Sequence, residues 1–326
     1  MAVVASMVFG TFSGSAAANA AADGVFTITM MKRRGLPPAF AGAVEAVAST
    51  GGQVMPPVMG VAAFIMAEFL SVPYAEIMLR GFVPAFIFYI VTAVSVYLVS
   101  RRLMSPAAVS EDSGETHLSL GYLLQGAPIL FSLGVLLHLL AVLQIGVSLA
   151  GFSLIVSFLL LRLIYDLALS RGRLSTLKQY FINLFEGLKI GVLSLLSMSV
   201  MISCLGMVVG VLINSGLAQT LSWIMVDLAQ GQLAILLFMI LIVCTLFGLA
   251  VTTAIAYVLT VMLAAPALLQ LGVPLIVTHF TVFYLATLSA ITPPVAVATA
   301  ITARIAGASF VKTSWAAIKL GLPLFI

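Results

Sequence analysis

Two pairs of adjacent prolines, Pro56-Pro57 and Pro293-Pro294, sit deep inside apolar stretches and limit what this chain can fold into. Proline removes a backbone donor and clashes with the preceding turn, so a helix carrying such a pair must break. Inside hydrocarbon a break frees carbonyls and amides that lipid cannot satisfy. It survives only where it is buried in protein or lines a cavity. Interruptions in corresponding places of two halves are the best sequence-level pointer to the binding sites of a secondary transporter.

Composition agrees with a bilayer. Of 326 residues, 63% are hydrophobic and only 7% charged, whereas a soluble domain carries about 25% charged residues. The net charge of +4 comes from short basic groups between apolar runs rather than one stripe, which excludes a nucleic-acid surface. Cys204 and Cys244 lie within apolar segments as small hydrophobes, so neither a disulfide nor a transition-metal site is expected. No nucleophile and base, phosphate loop or metal-ligand cluster stands at catalytic spacing, so there are no catalytic candidates and an enzyme is excluded.

Apolar runs and their breakers set the order of segments. Met1 to Gly10 lacks a basic n-region, and ten helical residues reach only about 15 Å, half a hydrocarbon thickness. This run reads as one arm of a re-entrant hairpin with its tip at Phe12 to Asn19. A second arm ends at Lys32-Arg33-Arg34. A span from Ala39 to Leu70 is divided at the first proline pair, and a long helix covers Tyr74 to Ser100.

Beyond a polar linker come helices at Ala127 to Gln144 and Val147 to Leu167, then an interfacial stretch from Leu174 to Lys189 with alternating polar and apolar residues. A span from Gly191 to Asn214 and an arm reaching Gln232 precede an apolar stretch centred on Phe247 to Thr253. The unit Pro274 to Ala306 carries the second proline pair, and the chain stops within apolar Leu320 to Ile326, as a fragment would. The expected division is 1–101 for a first transport repeat, 102–118 for a cytoplasmic linker, 119–190 for scaffold helices, and 191–326 for a truncated second repeat.

Basic residues test that layout, because cytoplasmic loops are enriched in Lys and Arg. With a hairpin at Thr252, the groups Lys32 to Arg34, Arg101-Arg102, Arg171, Arg173, Lys178, Arg304 and Lys312 all fall on one side. With a straight crossing, Arg304 and Lys312 fall on the other. The bias favours the hairpin. Spacing adds a repeat: 41 positions separate Ser15 from Pro56 and Thr252 from Pro293 (56 − 15 and 293 − 252). The fold class is therefore an all-α polytopic membrane protein of inverted repeats, with re-entrant hairpins and broken helices converging near the midplane. Helix N-termini there suit a carboxylate, and exposed carbonyls and hydroxyls suit a hard cation such as Na⁺.

Ser13 to Asn19, Met31 to Gly35 and the run Ala41 to Gly60, AGAVEAVASTGGQVMPPVMG, resemble the large (DctM-like) membrane subunit of TRAP transporters, the tripartite ATP-independent periplasmic class. The likeness is greatest to the branch in which small and large membrane subunits are fused. Gly248, Thr252 to Ala254, Tyr257 to Leu259 and Ala265 to Leu268 resemble that family's second hairpin, and Ile291 to Pro294 its second unwound point. The resemblance implies Na⁺-coupled, elevator-type uptake of small organic acids across the bacterial inner membrane. A periplasmic solute-binding protein delivers the anion, a small TRAP membrane subunit is the other partner, and no cofactor is needed beyond Na⁺ as coupling ion. Cation ligands would lie at Ser13, Ser15, Thr50, Gly51 and Gly52 in one half, and at Gly248, Thr252, Ala290 and Thr292 in the other. Gly14, Asn19 and Thr253 would line the substrate cavity. The second tip reads Val251-Thr252-Thr253 where the family more often has Pro-Thr-Thr, and both hydroxyls are kept.

Each residue has a plainer reading. Small residues such as Gly14, Ser15, Gly51 and Gly52 also let membrane helices pack closely, and single prolines occur as kinks; the matched spacing is what argues against both. Glu45, an acid within an apolar span, is costly and points to function. Five positions before Thr50, it braces the unwound segment by hydrogen bonds or takes part in coupling, and bracing is favoured. His138 and His279 read as hydrogen-bonded core residues, and Trp223 and Trp315 as interface markers. The rival functions are a stand-alone elevator-type anion carrier needing no binding protein, and a channel or scaffold subunit.

Overall fold

A computed structural model describes residues 1–103, 120–169, 174–248, 251–294 and 296–325. The expected linker, apart from Arg102 and Leu103, lies outside the described residues. The chain divides into two units, one of 1–72, 76–112 and 209–326 and one of 73–75 and 113–208.

All regular structure among the described residues is helical. In the first unit the leading helices are α1 (Ala2–Ser13), α2 (Ala16–Arg33), α3 (Pro38–Gly51), α4 (Val61–Leu70) and the long α5 (Tyr74–Leu103). In the second unit α6 (Leu120–Ala141) packs against α7 (Val147–Leu169), and the Tyr180 hydroxyl of α8 (Leu174–Asn214) donates to the Leu159 carbonyl of α7 at 2.7 Å. The interfacial stretch and the span expected at Gly191 are one continuous helix. Gly187 and Gly191 each cost only about 1 kcal/mol in a helix, and no proline intervenes to stop it.

The first unit resumes with α9 (Leu217–Ala229), α10 (Leu233–Gly248), α11 (Thr253–Gln270), α12 (Leu275–Leu288), a 3₁₀ turn at Ser289–Ile291, α13 (Val297–Ala306) and α14 (Phe310–Gly321). The run 233–265 is thus interrupted, and α10 and α11 pack against each other as α1 and α2 do.

Among the described residues three helices are long and apolar enough to cross a membrane, Tyr74–Leu103, Val147–Ala168 and Thr253–Gln270, and a fourth span results if the pair Ser203–Asn214 and Leu217–Ala229, bent by 69°, is one crossing. Several others are apolar but short, because a cap or a proline pair ends them. The α5 surface shows how such a protein faces its solvent. Leu79, Val83, Ile87, Ile90 and Val94 form an exposed apolar stripe, while Ala85, Phe88, Tyr89 and Thr92 are buried on the other side. Spacings of three and four place each set on one helical face.

The repeat is exact in the bounds of two helix pairs. Shifting α2 by 237 positions (253 − 16) gives the bounds of α11, and the same shift (275 − 38) turns α3 into α12. Loop conformations follow: Pro37 and Pro274 precede α3 and α12 with φ −57° and −58°, and Gly35 and Gly272 have φ +82° and +79°. Met59 and Ala296, also 237 apart (296 − 59), both adopt positive φ just before the second half-helix. Pro56-Pro57 and Pro293-Pro294 are both cis. One backbone plan is used twice within the first unit.

Candidate functional site at the two helix breaks

Gly14 ends α1 in the left-handed region at φ +56°, which a residue without Cβ adopts without strain. Ser15 then caps α2, its Oγ accepting from the Ala18 amide at 3.3 Å. This tip sits directly on the first break. The Val58 amide donates to the Thr11 carbonyl at 3.2 Å, a Cβ on Gly10 would lie 2.6 Å from the Gly52 Cα, and one on Gly14 would lie 2.8 Å from the Gly60 nitrogen. The amides of Gly52, Gln53 and Val54 donate to the carbonyls of Ser49, Thr50 and Gly51 in a tightened 3₁₀ pattern. Each of those carbonyls keeps a second lone pair for another donor or a cation.

Of the expected site residues in this half, Thr50 is fully buried and its Oγ1 donates to the Ala46 carbonyl at 2.8 Å. Gly51 and Gly52 are buried, and a Cβ on Gly52 would meet Asn19 Nδ2 at 2.8 Å. Ser13 Oγ and Asn19 Oδ1 are buried without a hydrogen-bond partner, and so is Gln53 Nε2, a residue that reading the sequence did not single out. A hydroxyl and an amide oxygen are the kind of donor a hard cation takes. The orphan amide donor fits a carboxylate oxygen.

The second break repeats the approach with other residues. Thr252 precedes α11 with extended backbone but is exposed and makes no side-chain cap, and Thr253 is half-buried. A Cβ on Gly248 would overlap the Ser289 side chain, the counterpart of Gly52. Ala290 is buried, and the half-buried Thr292 donates from Oγ1 to the Leu288 carbonyl at 2.8 Å. The 3₁₀ turn Ser289–Ile291 packs against α3, while α4 packs against α11 and α12, so the halves interlock at their breaks. The rings of Phe88, which abuts Gly51, and Tyr284 stand 6.1 Å apart between them.

Glu45 is fully buried and accepts three hydroxyls: Ser6 at 2.8 Å, Ser49 at 2.9 Å, and Thr27. Ser6 belongs to α1, Thr27 to α2 and Ser49 to α3. The Ser6 carbonyl accepts from Asn19 Nδ2 at 2.9 Å, and the Tyr89 hydroxyl of α5 lies 3.2 Å from the Ala48 carbonyl and 3.4 Å from that of Ser6. Hydroxyl donors spread over three helices thus meet at this one carboxylate. Ser49 was legible as the i+4 neighbour of Glu45. Ser6 and Thr27, 39 and 18 positions away, carried no local signal. His279 is a buried, hydrogen-bonded residue, its Nδ1 2.6 Å from the Tyr257 hydroxyl, whereas His138 is exposed, contrary to expectation, because α6 turns that face outward.

Interrupted apolar helices, paired by a backbone repeat and packed against one another near their breaks, are the pattern of a polytopic membrane protein. Residues 1–326 match the family described as the tripartite ATP-independent periplasmic transporter, DctM component, and the chain belongs to it. That is a family of transporter permeases, not enzymes. A stretch of 106 residues is 34% identical to the C4-dicarboxylate TRAP transporter large permease protein DctM of Pseudomonas aeruginosa, covering 32% of this chain and 24% of that protein. The aligned stretch thus spans about a quarter of the relative's own length.

Proposed function

We propose that this chain is the membrane permease component of a secondary active, Na⁺-coupled system for uptake of small organic acids. The observation that carries this reading is the doubled break, each one met by the tip region of its own helical hairpin. The repeats enter the bilayer from opposite faces as re-entrant hairpins and broken helices. Ser13, Ser15, Thr50, Gly51 and Gly52 supply cation ligands in the first half, and Gly248, Thr252, Ala290 and Thr292 do so in the second.

Carbonyls released by a helix break keep their partial negative charge without a full negative charge, which suits a monovalent ion that must also leave. The N-termini of α2 and α11 present first-turn amides to a carboxylate, with Gly14, Asn19 and Thr253 beside it. C4-dicarboxylates, named for the Pseudomonas relative, are the first substrates to try. A periplasmic solute-binding protein delivers the anion, a small TRAP membrane subunit completes the complex, fused to this subunit or separate, and the first unit moves as an elevator within the bacterial inner membrane.

The test is reconstitution of the complete transporter in proteoliposomes, with and without its binding protein and an inward Na⁺ gradient, followed by uptake of labelled organic acids. Saturable uptake that needs both is expected. Uptake independent of the binding protein would turn the reading to a stand-alone carrier, and flux that neither saturates nor follows the ion gradient to a channel.

A further inference from the structure

The repeat gives every residue of the first half a counterpart 237 positions on (253 − 16). At the Glu45 brace those counterparts are all apolar: Ser6 maps to Val243, Thr27 to Ala264, Glu45 to Val282 and Ser49 to Ala286. Val282, Ala264 and Ala286 are fully buried, so the second half is packed there rather than bonded. Its hydroxyls near the break turn back on their own helix, Thr287 to the Tyr284 carbonyl, Ser289 to that of Ala286 and Thr292 to that of Leu288. Among the described residues two polar links cross to α12. One is the contact of Cys244 Sγ with the Val282 carbonyl at 3.9 Å, and the other is the Tyr257–His279 pair. The thiol is a weak donor. His279 lies ten residues before Ser289, about 15 Å along the helix axis, too far to set the break's shape.

Packing without directional bonds tolerates small slips of one helix past another, whereas a carboxylate held by three hydroxyls on three helices fixes their register. In the first half that register fixes Ser49 and, through the next turn, Thr50 to Gly52. We propose that Glu45 is a positioning residue that holds the first break in its ligand-ready shape before any ion arrives, while the second break takes its final shape only as its ion binds. The inference rests on the cation reading of the two breaks given above and assigns them unequal roles. A preformed site spends none of its binding free energy on ordering the chain, so the first break is the tighter one.

The test is hydrogen–deuterium exchange of the complete transporter in lipid nanodiscs, in Na⁺ and in choline, with Na⁺ titrations of uptake alongside. In the unmodified protein, peptides covering 49–58 should exchange slowly in both buffers, and those covering 286–296 should slow at least about tenfold on adding Na⁺. Glu45→Gln should speed exchange over 49–58 about tenfold in choline, with Na⁺ restoring protection, and raise the Na⁺ concentration for half-maximal uptake about fivefold or more. Glu45→Asp should fall between the two. Thr27→Val and Ser49→Ala give the same readout if Glu45→Gln does not fold.

Unchanged exchange over 49–58 in choline, or equal loosening of both breaks, overturns the positioning role. If Na⁺ protects neither break of the unmodified protein and uptake ignores Na⁺, the cation reading falls, and with it the ion-ordered second break. The comparison of Glu45→Gln with the unmodified protein in choline still decides the role of Glu45 by itself.

Discussion

The two repeats share a backbone and differ in what holds it. In the first, Glu45, Ser6, Thr27 and Ser49 join hairpin to broken helix through buried hydrogen bonds. In the second, the same positions carry Val and Ala. The bounds of α2 and α3, the proline pairs and the loop conformations recur in the second half although the interior chemistry does not. The backbone geometry at the breaks thus recurs, while the means of holding it differs. A polar brace specifies register but leaves costly unpaired groups if one member is lost. An apolar interface is forgiving and less specific.

Substitutions in the two halves can break this comparison or sharpen it. The largest effect is expected where backbone meets backbone. Gly10→Ala places a Cβ against the Gly52 Cα, which has no side chain to withdraw, and should cost about 3 kcal/mol or more, seen as a lower melting temperature and loss of uptake. Gly248→Ala collides instead with the Ser289 side chain, so adding Ser289→Gly should recover most of its stability. Failure of that rescue would mean that Gly248 is held by more than the Ser289 side chain.

Next comes the brace. Glu45→Val alone strands the hydroxyls of Ser6, Thr27 and Ser49 and should cost about 1–3 kcal/mol. Copying the second repeat in full, with Ser6→Val, Thr27→Ala, Glu45→Val and Ser49→Ala, removes donors and acceptor together. That quadruple variant should be more stable than the single one, within about 1 kcal/mol of the unmodified protein, because replacing a buried polar group and its partners by apolar ones is often neutral. Thermal unfolding in detergent compares the two.

A smaller effect is expected at Lys32, whose Nζ donates to the Ala306 carbonyl at 2.9 Å and ties α2 to the C-terminus of α13. Its counterpart 237 positions on is the exposed Leu269. Lys32→Met should cost about 0.5–1.5 kcal/mol, and the Na⁺ dependence of uptake should not move. A shifted Na⁺ dependence would make this contact part of the coupling rather than of the scaffold.

Much of this frame was legible in the sequence, because prolines and small hydroxyl residues act locally. Equal spacing from Ser15 to Pro56 and from Thr252 to Pro293 located both tips and both breaks, and Glu45 stood out as an acid among apolar neighbours. What could not be read depends on tertiary contacts. Nothing near Ser6 or Thr27 announces a carboxylate partner on another helix, and nothing near Gly10 or Gly248 announces the backbone or side chain it touches. The joint at Gly191 was misjudged for a different reason. A change from amphipathic to fully apolar pattern marks a change of environment, and a helix can pass through such a change unbroken.

A cryo-EM map of the complete transporter in lipid and sodium bears most directly on the mirrored plan. It should show Gly10 against Gly52 and Gly248 against Ser289, with the two hairpin-and-break units related by a pseudo-two-fold axis in the membrane plane and both breaks enclosed by protein midway through the bilayer. A single unbroken crossing over residues 233–265, or either proline pair facing acyl chains, would contradict the account.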